Sequence, residues 1–229
     1  MALLGILLVA AAAGVTCDTF TPRVPPPPEQ NICGFSGVEN PQFIEPLSPE
    51  VLRGNVQLAF ECPRTEFYEQ SLKLPENGAP GFVYIPDSGA DALAPGFFDG
   101  WDVESEVQFA VNLLDSPAQR VVERMVGDVA VNDTLLLELT TLEIPTFFDT
   151  GQLPGTNDAR YEVEYELTLT FAGENGTRTE LVEVYCGRAF WDLTGGDRNF
   201  WTLLRWEDLE PRPQRPCSET MGVLRIKEG

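Results

Sequence analysis

Two carboxylates and two tyrosines in the first half of the chain could carry out acid–base chemistry. Asp87 and Asp102 enclose an aromatic-rich stretch, and Tyr68 and Tyr84 precede them. A carboxylate beside a phenol could remove a proton next to a carbonyl group while the phenol stabilises the oxyanion, as in a lyase or isomerase. However, an acid after Pro86 is typical of a turn, and an acid at position 102 suits the first turn of a helix. We keep all four as catalytic candidates and expect structural roles for the two aspartates.

A second set of side chains could bind a ligand without transforming it. Aromatic rings could line an apolar pocket, and two arginines that stand out in an acid-rich chain could hold a carboxylate. The candidate pocket residues are Phe60, Tyr84, Trp101, Arg188, Trp201 and Arg205. The structural alternative is that the rings belong to the core and that the arginines pair with neighbouring acids such as Glu183 or Glu207.

Histidine is absent from the chain, which removes the side chain most used for proton transfer near neutral pH and the commonest transition-metal ligand. The cysteines lie singly, without the paired spacing of a zinc site. The sequence also contains no calcium-binding loop, no Gly-rich phosphate loop and no Gly-x-Ser-x-Gly elbow. We expect no metal and no cofactor, and a non-catalytic role over an enzymatic one.

The first seventeen residues predict export. Residues 2–13 form an apolar run that is too short to span a bilayer but has the length of a signal-peptide core. We interpret residues 1–16 as a signal peptide and Cys17 as the lipid-modified first residue of a bacterial cell-envelope lipoprotein, facing the periplasm or the cell surface. Because no Lys or Arg precedes the run, ordinary cleavage, which would leave Cys17 as an odd thiol, is the alternative.

The other four cysteines suit disulfides in an oxidising compartment, since their number is even. Three pairings are possible. Shorter loops cost less entropy to close, which favours Cys33–Cys62 and Cys186–Cys217. The first bridge would pin a Pro-rich segment to the domain, and the second would fasten the C-terminal tail.

The charge of the chain excludes a further class of partner. Asp and Glu number 36 against 15 Lys and Arg, which gives a formal net charge of -21. Such a chain repels phosphate backbones, so we expect no nucleic-acid binding. The predicted partners are a membrane, through the N-terminal lipid, and a small apolar ligand or another protein.

Hydrophobic periodicity predicts an α+β fold with helices first and a strand meander afterwards. The clearest strand covers residues 161–171, where apolar and polar side chains alternate. Helices are predicted at 49–61, 64–72 and 101–114, strands at 81–86, 134–144, 181–191 and 200–206, and loops at 87–100 and 145–160. Pro145 is expected to end the strand before it. We place a tether at 17–47, one domain at 48–208 and a tail at 209–229.

Several motifs carry a resemblance to a known superfamily. They are Ser48-Pro49 leading to Leu58-Ala59-Phe60, the strand Phe82-Val83-Tyr84-Ile85-Pro86, Gly187-Arg188-Ala189-Phe190, and Trp201-Thr202-Leu203-Leu204-Arg205-Trp206-Glu207-Asp208. Together with the order of elements, they resemble exported bacterial lipoproteins of the nuclear transport factor 2-like, or cystatin-like, superfamily. The resemblance covers about residues 48–208. It implies an α+β cone, with a pocket between the helices and the concave face of a curved antiparallel sheet.

The resemblance does not imply one activity, because enzymes and non-enzymes share this cone. Our leading hypothesis is a membrane-anchored domain that binds a small ligand or a partner protein without catalysis. The alternative is a lyase or isomerase that uses a pocket carboxylate and a tyrosine. A carboxylate inside the cone, beside an aromatic wall and with a raised pKa, would favour the alternative. A structural envelope subunit is a third, weaker hypothesis.

Overall fold

Six strands form one strongly curled sheet in the order β1-β6-β5-β4-β3-β2 in the computed structural model. The model describes residues 42–76, 78–115, 118–153, 158–173, 180–195, 200–210 and 219–229. The strands are β1 (Val83–Ile85), β2 (Gln119–Val126), β3 (Val129–Gln152), β4 (Ala159–Gly173), β5 (Glu180–Gly195) and β6 (Trp201–Leu209). The predicted α+β class with a curved sheet is confirmed.

The pairing of the first strand differs from the prediction. The five longer strands pair antiparallel with their neighbours, but β1 pairs parallel with β6, so the sheet is mixed. The difference arises because β1 precedes the meander in the chain and joins it at the edge strand that comes last. Parallel strands need a crossover connection of about a dozen residues or more, and the long segment between β1 and β6 provides one.

Within the described residues, five α-helices and one π-helix accompany the sheet. Their bounds are α1 (Pro49–Glu61), α2 (Thr65–Ser71), α3 (Ser88–Leu93), α4 (Val103–Ala110), the π-helix Val111–Asp115 and α5 (Met221–Glu228). The start of α1 matches its sequence signal, because the Ser48 hydroxyl accepts a hydrogen bond from the Val51 amide at 3.4 Å and Pro49 occupies the first turn. The predicted helix 49–61 is confirmed.

Strand β4 supplies the inner wall of the core. Its side chains alternate between buried and half-buried along the strand, with Val163, Leu167 and Phe171 fully buried. We call the face that carries these residues the inner face of the sheet, and the opposite one the outer face. The alternation predicted for 161–171 is confirmed, because a period of two places every second residue on the same side.

Strand β3 continues through the proline that was expected to end it. The pairing with β4 shifts between Glu143 and Thr146, and the strand then runs on to Gln152. A bulge accommodates Pro145 because a bulged residue leaves the hydrogen-bond ladder, where a missing N–H costs nothing. The prediction of a loop from residue 145 was therefore wrong for residues 145–152.

Two helices lie where none was predicted. Asp87 caps α3 inside the predicted 87–100 loop, whose Gly and Pro content concealed a short helix. Helix α5 lies in the segment predicted only as a tail, and its Met221 and Leu224 are fully buried. Eight residues are too few for a strong periodic signal. The third predicted helix, 101–114, divides into α4 and the π-helix.

The helices and the inner face enclose one hydrophobic core, to which α1, α2, α4 and α5 all contribute buried side chains. No helix in the described part of the chain is long and apolar enough to cross a membrane. The predicted signal peptide, Cys17, Cys33 and Cys217 lie outside the described residues, so the lipid anchor and the disulfide pairing stay predictions.

The core position of β4 gives a test of this fold. Leu167 is fully buried, whereas Leu139 on β3 is 40% exposed. We expect Leu167→Ala to lower the free energy of unfolding by about 2–5 kcal/mol, because the truncation leaves a cavity. The control, Leu139→Ala, should cost at most about 1 kcal/mol. Urea unfolding measures both, and equal losses would contradict the assignment of the inner face.

Candidate functional site

The six predicted pocket residues divide between the core and the outer parts of the sheet. Phe60, Tyr84 and Trp101 are buried in the core. Arg188 instead binds Glu162, with its Nη2 at 2.5 Å from a carboxylate oxygen. Because Glu162 alternates with the buried residues of β4, this ion pair lies on the outer face. Half-buried Trp201 donates its backbone N–H to the Pro46 carbonyl at 2.8 Å.

A bulge in β6 accounts for the position of Arg205. If the side chains of β6 alternated strictly, Arg205 would lie on the same face as Leu203. In the structure, Leu203 pairs with Leu193 and Arg205 with Asp192, so Leu204 is the extra residue. The bulge reverses the alternation, and Arg205 leaves the buried face that carries Leu203. Its guanidinium pairs with Glu207, one of the acids that the structural alternative named.

The two predicted catalytic aspartates cap helices. Asp87 accepts hydrogen bonds from the amides of Gly89 and Ala90 at 2.8 and 3.1 Å, and its other oxygen accepts one from the Thr220 hydroxyl at 2.7 Å. Asp102 caps α4 in the same way from an exposed position, through the amides of residues 104 and 105. These contacts are the structural roles expected for both residues.

The two candidate tyrosines bind two different carboxylates that the sequence analysis had not selected. Tyr68 donates to Glu106 at 2.5 Å, and Tyr84 donates to Asp208 at 2.6 Å. Both carboxylates are almost fully removed from solvent, with Glu106 at 0% and Asp208 at 4% exposure. The structure therefore does bring carboxylates together with tyrosines, but through Glu106 and Asp208.

Glu106 is the partner of a fully buried arginine from the C-terminal helix. Arg225 reaches Glu106 with Nε at 2.9 Å and Nη2 at 2.5 Å, each on a different oxygen of the carboxylate. The Trp101 indole N–H also donates to this carboxylate, at 2.7 Å. With Tyr68, the carboxylate accepts four hydrogen bonds. Such complete pairing is what allows a charge to be buried.

Three aromatic rings surround the Arg225 guanidinium. Its central carbon lies 3.8 Å from the ring centroid of Tyr84, 5.0 Å from that of Trp206 and 5.1 Å from that of Phe109. Burial would lower the pKa of Arg225, but the charge of Glu106 and the adjoining tyrosines outweigh it, so the pKa lies well above its ordinary value. The site holds a permanent cation. We call Glu106, Tyr84, Trp206 and Phe109 the arginine cage.

Asp208 forms the second buried carboxylate, next to the cage. It accepts hydrogen bonds from Tyr84, from the Trp206 indole at 2.7 Å and from Tyr165 at 3.1 Å. Burial raises the pKa of Asp208 to about 6, although the charge of Arg225 and these hydrogen bonds oppose the rise. Tyr165 in turn accepts a hydrogen bond from the Met221 amide at 3.2 Å, which ties the start of α5 to Asp208.

Two grooves on the described part of the chain lie away from the cage. One groove of 330 Å³ runs beside α1 and is lined by residues such as Ile44, Asn55 and Leu58. Another, of 340 Å³, includes Phe43 and Phe200. Neither is lined by Glu106, Asp208 or Arg225. Across the described residues, no group of three or more Cys, Asp or Glu side chains could hold a metal ion.

Sequence spacing contained a partial signal for this site. Glu106 lies three residues after Val103 and four before Ala110, on the apolar stripe of α4. An acid on such a stripe requires a buried partner. The partner could not be identified, because Arg225 lies more than a hundred residues later in a segment with no predicted element.

The buried ion pair between Glu106 and Arg225 predicts that a conservative substitution strongly destabilises the protein. We expect Glu106→Gln to lower the free energy of unfolding by about 3–5 kcal/mol, because Arg225 keeps its charge and loses its buried partner. The control is Glu66→Gln, which breaks an exposed ion pair with Arg64 and should cost at most about 1 kcal/mol. Chemical denaturation compares the two. A loss below 1 kcal/mol for Glu106→Gln would contradict the burial of this pair.

The raised pKa of Asp208 predicts a pH dependence. Between about pH 4 and pH 6 the folded state keeps a proton on Asp208 that the unfolded state has released, so this group lowers stability as the pH rises. Asp208→Asn cannot ionise. We therefore expect the unfolding free energy of the variant, minus that of the wild type, to increase by up to about 3 kcal/mol over this window. Urea titrations at a series of pH values measure this difference in unfolding free energy. A difference that stays constant with pH would contradict the raised pKa of Asp208.

Comparisons with known proteins found one distant structural similarity. No protein-family model matches the chain, and no curated protein matches its sequence. A crystal structure of a "putative aromatic ring hydroxylase" from Novosphingobium aromaticivorans is 11% identical, with a TM-score of 0.45, over 79% of this chain and 96% of that one. A similarity this distant gives no information about activity.

Proposed function

We propose that this protein is an exported bacterial lipoprotein, anchored through a lipid on Cys17, whose domain binds a small ligand or a partner protein without catalysis. The observation that supports the non-catalytic part is the burial of the arginine cage. Arg225 is fully buried, and so is Glu106, with which it pairs. A general base must come within hydrogen-bond reach of its substrate. Neither Glu106 nor Asp208 lines either of the two grooves described above.

The grooves support binding at the surface of the domain. Their volumes, 330 and 340 Å³, lie at the lower end of the range for small-ligand sites. Both combine apolar side chains with a few polar ones, such as Asn55 and Gln57 in the first groove and Gln70 in the second. This composition suits an apolar or amphipathic ligand, or an apolar side chain of a partner.

An oxidising compartment is supported by the surroundings of Cys186. The Cys186 amide donates to the Glu219 carbonyl at 3.0 Å, and Tyr185 forms a β-bridge with Glu219. Since Cys217 precedes Glu219 by only two residues, we propose the pairing Cys186–Cys217. Cys62, buried at the end of α1, is then left to pair with Cys33. Disulfides of this kind belong to exported proteins.

A lyase or isomerase is the second candidate function, and Asp208 is the observation that favours it. A carboxylate with a pKa of about 6 lies beside two tyrosine hydroxyls, which donate to Asp208 here and would have to turn to a substrate to stabilise an oxyanion. Substrate would have to enter where α5 now lies. If the protein has this function, the wild type converts a substrate and the variant Asp208→Asn does not.

Intact-mass analysis tests the proposed lipid anchor and disulfides. The full chain is expressed in a bacterial host, purified from the membrane fraction and weighed with and without reductant. We expect a mass that begins at Cys17 and includes acyl chains, and an increase on reduction equal to the hydrogens of two disulfides. The control, Cys17→Ser, should lose the acyl chains and keep the disulfides.

A soluble, unacylated wild-type product would overturn the anchor. Free thiols at Cys62 or Cys186, detected by alkylation of the unreduced protein, would overturn the proposed pairings. The experiment can therefore contradict the lipid anchor and the disulfide pairings independently of each other.

A further inference from the structure

Strand β2 forms one edge of the sheet along its whole length. It pairs with β3 over all its residues without a shift in register, whereas the pairs β3–β4 and β5–β6 shift at bulges. Proteins commonly protect such an edge with a bulge, a proline or a covering segment, because its backbone groups can pair with another strand. Strand β2 contains neither a bulge nor a proline.

Alternate residues of β2 present their backbone groups to the open side. The Ala118 carbonyl, directly before the strand, accepts a hydrogen bond from the Leu137 amide of β3. In an antiparallel pair, residues that bond to one neighbour alternate with residues that point away from it. The even-numbered residues of β2 therefore bond to β3. The amides and carbonyls of Val121, Glu123 and Met125 point outward, where no described residue bonds to them.

The side chains of the same three residues project into solvent. Val121 is 67% exposed and Met125 is 61% exposed, and Glu123 between them is exposed as well. They lie on the outer face, because the intervening Val122 packs against the core. A segment that paired with β2 would therefore meet an apolar, an acidic and an apolar side chain in a row.

Glu123 is the charge that this edge offers to a partner. The two arginines of β2 are already engaged, since Arg120 binds Glu183 at 2.8 Å. Arg124 binds Asp133 of β3. Within the described ranges Glu123 has no ion pair, and the chain as a whole carries a net charge of -21. A cation opposite Glu123 would be attracted by its cross-strand neighbour and by the field of the protein.

The other parts of the sheet boundary are less available. Strand β1, at the opposite edge, has three residues, and its Val83 forms a bridge with Asp102. Beyond the end of β2, helix α1 contacts β3, and the Gln57 side chain donates to the Leu142 carbonyl at 3.0 Å. Among the described strands, β2 therefore offers the longest regular edge.

We propose that β2 binds an extended, cationic segment of a partner protein, which adds a seventh strand to the sheet. The segment carries a lysine or arginine opposite Glu123 and an apolar residue two positions away on each side, opposite Val121 and Met125. This pattern reads the same in both directions, so it suits either orientation of the added strand. The inference rests on the partner-binding form of the proposed function and names its surface and its chemistry.

A second copy of this chain is a poorer occupant. In the register that aligns Val121 with the counterpart of Met125 in another copy, Glu123 would lie opposite its own counterpart. Like charges directly opposite each other are destabilising. Sedimentation equilibrium of the full chain in density-matched detergent separates the two occupants. We expect a monomer at micromolar concentrations, and a dimer that Val121→Pro dissociates would overturn the proposal.

The first experiment titrates the full chain with two synthetic peptides. The cationic peptide is acetyl-Thr-Val-Thr-Lys-Thr-Val-Thr-amide, and the acidic peptide has Glu in place of Lys. We expect the wild type to bind the cationic peptide about fivefold more tightly, because opposite charges attract across a strand pair and like charges repel. Fluorescence anisotropy of the labelled peptides measures both Kd values. No saturable binding of the cationic peptide up to about 1 mM would contradict the proposal.

A charge reversal separates the contact with Glu123 from general attraction to an acidic protein. In Glu123→Lys the preference should reverse, so that the acidic peptide binds about threefold more tightly. The matched control is Glu166→Lys on β4, which is bonded to a strand on each side. It makes the same change of charge and should keep the wild-type preference. A preference for the cationic peptide that survives Glu123→Lys would show non-specific attraction and overturn the proposal.

The second experiment tests hydrogen bonding at the strand edge. The cationic peptide is N-methylated either at its Val and Lys residues or at its Thr residues. Alternate amides of an added strand face β2, so one of the two methylated peptides should bind about tenfold more weakly and the other should not. Equal losses, or no loss in either, would exclude strand addition.

A proline on the open side gives the matching change in the protein. Val121→Pro removes an amide that points outward and leaves the bonds between β2 and β3 in place, so we expect about tenfold weaker binding. The control, Val121→Thr, keeps the amide and should lose less than about threefold. Equal losses in the two variants would count against pairing. If Val121→Pro does not fold, the methylated peptides decide, because they leave the protein unchanged.

Hydrogen exchange locates the bound peptide. It should slow the exchange of the Val121, Glu123 and Met125 amides about tenfold, because these three gain acceptors. Slower exchange at Ile44 and Leu58 instead would place the peptide in the groove beside α1 and overturn the proposal. That result would leave groove binding and the lipid anchor intact. Conversely, a chain without acyl groups could still bind the peptide at β2.

Discussion

A charge that cannot leave the protein interior organises this domain. The Arg225 guanidinium keeps its proton at any pH at which the protein folds, so it must be neutralised where it lies. Glu106 does so, and the donors from Tyr68 and Trp101 complete the shell of that carboxylate. Tyr68, the stretch from Trp101 to Glu106, and Arg225 come from three separate parts of the chain. Their positions are thus linked by one electrostatic requirement.

The same requirement explains why α5 is part of the core. Hydrophobic burial is tolerant of shape, because side chains of similar volume can replace one another with modest cost. A buried ion pair is not tolerant, since a missing partner leaves an uncompensated charge. Helix α5 is therefore fastened to the core through its arginine as well as through its apolar residues Met221 and Leu224.

The sequence predicted the local parts of this structure well and the long-range parts poorly. The cap at Ser48 and the alternation along β4 are local patterns, and both were confirmed. The pairing of β1 with β6 and the meeting of Glu106 with Arg225 join positions more than a hundred residues apart. No periodicity encodes such a pairing. The bulges at Pro145 and Leu204 were also missed. One extra residue moves the following side chains to the opposite face of the sheet, but it does not change the composition of the strand.

For the candidate site too, the local features were predicted from the sequence and the long-range contacts were not. The predicted roles of Asp87 and Asp102 as structural acids followed from their positions beside a proline and at a helix start, and both residues are caps. The sequence also selected Tyr68, Tyr84 and Trp101 as site residues, and all three contact the buried carboxylates or the cation. Their partners were missed because helix α5 is short and follows the recognisable domain.

The position of α5 in the chain sets the order in which the protein can become folded. Synthesis proceeds from the N-terminus, and segments that are complete can begin to associate while the rest is still being made. Here the last helix carries the counter-charge for Glu106, so every intermediate that lacks residue 225 contains an acid with no cation beside it. A chain that ends before residue 225 therefore cannot form this ion pair, and its Glu106 can be accommodated only in water or as a neutral acid.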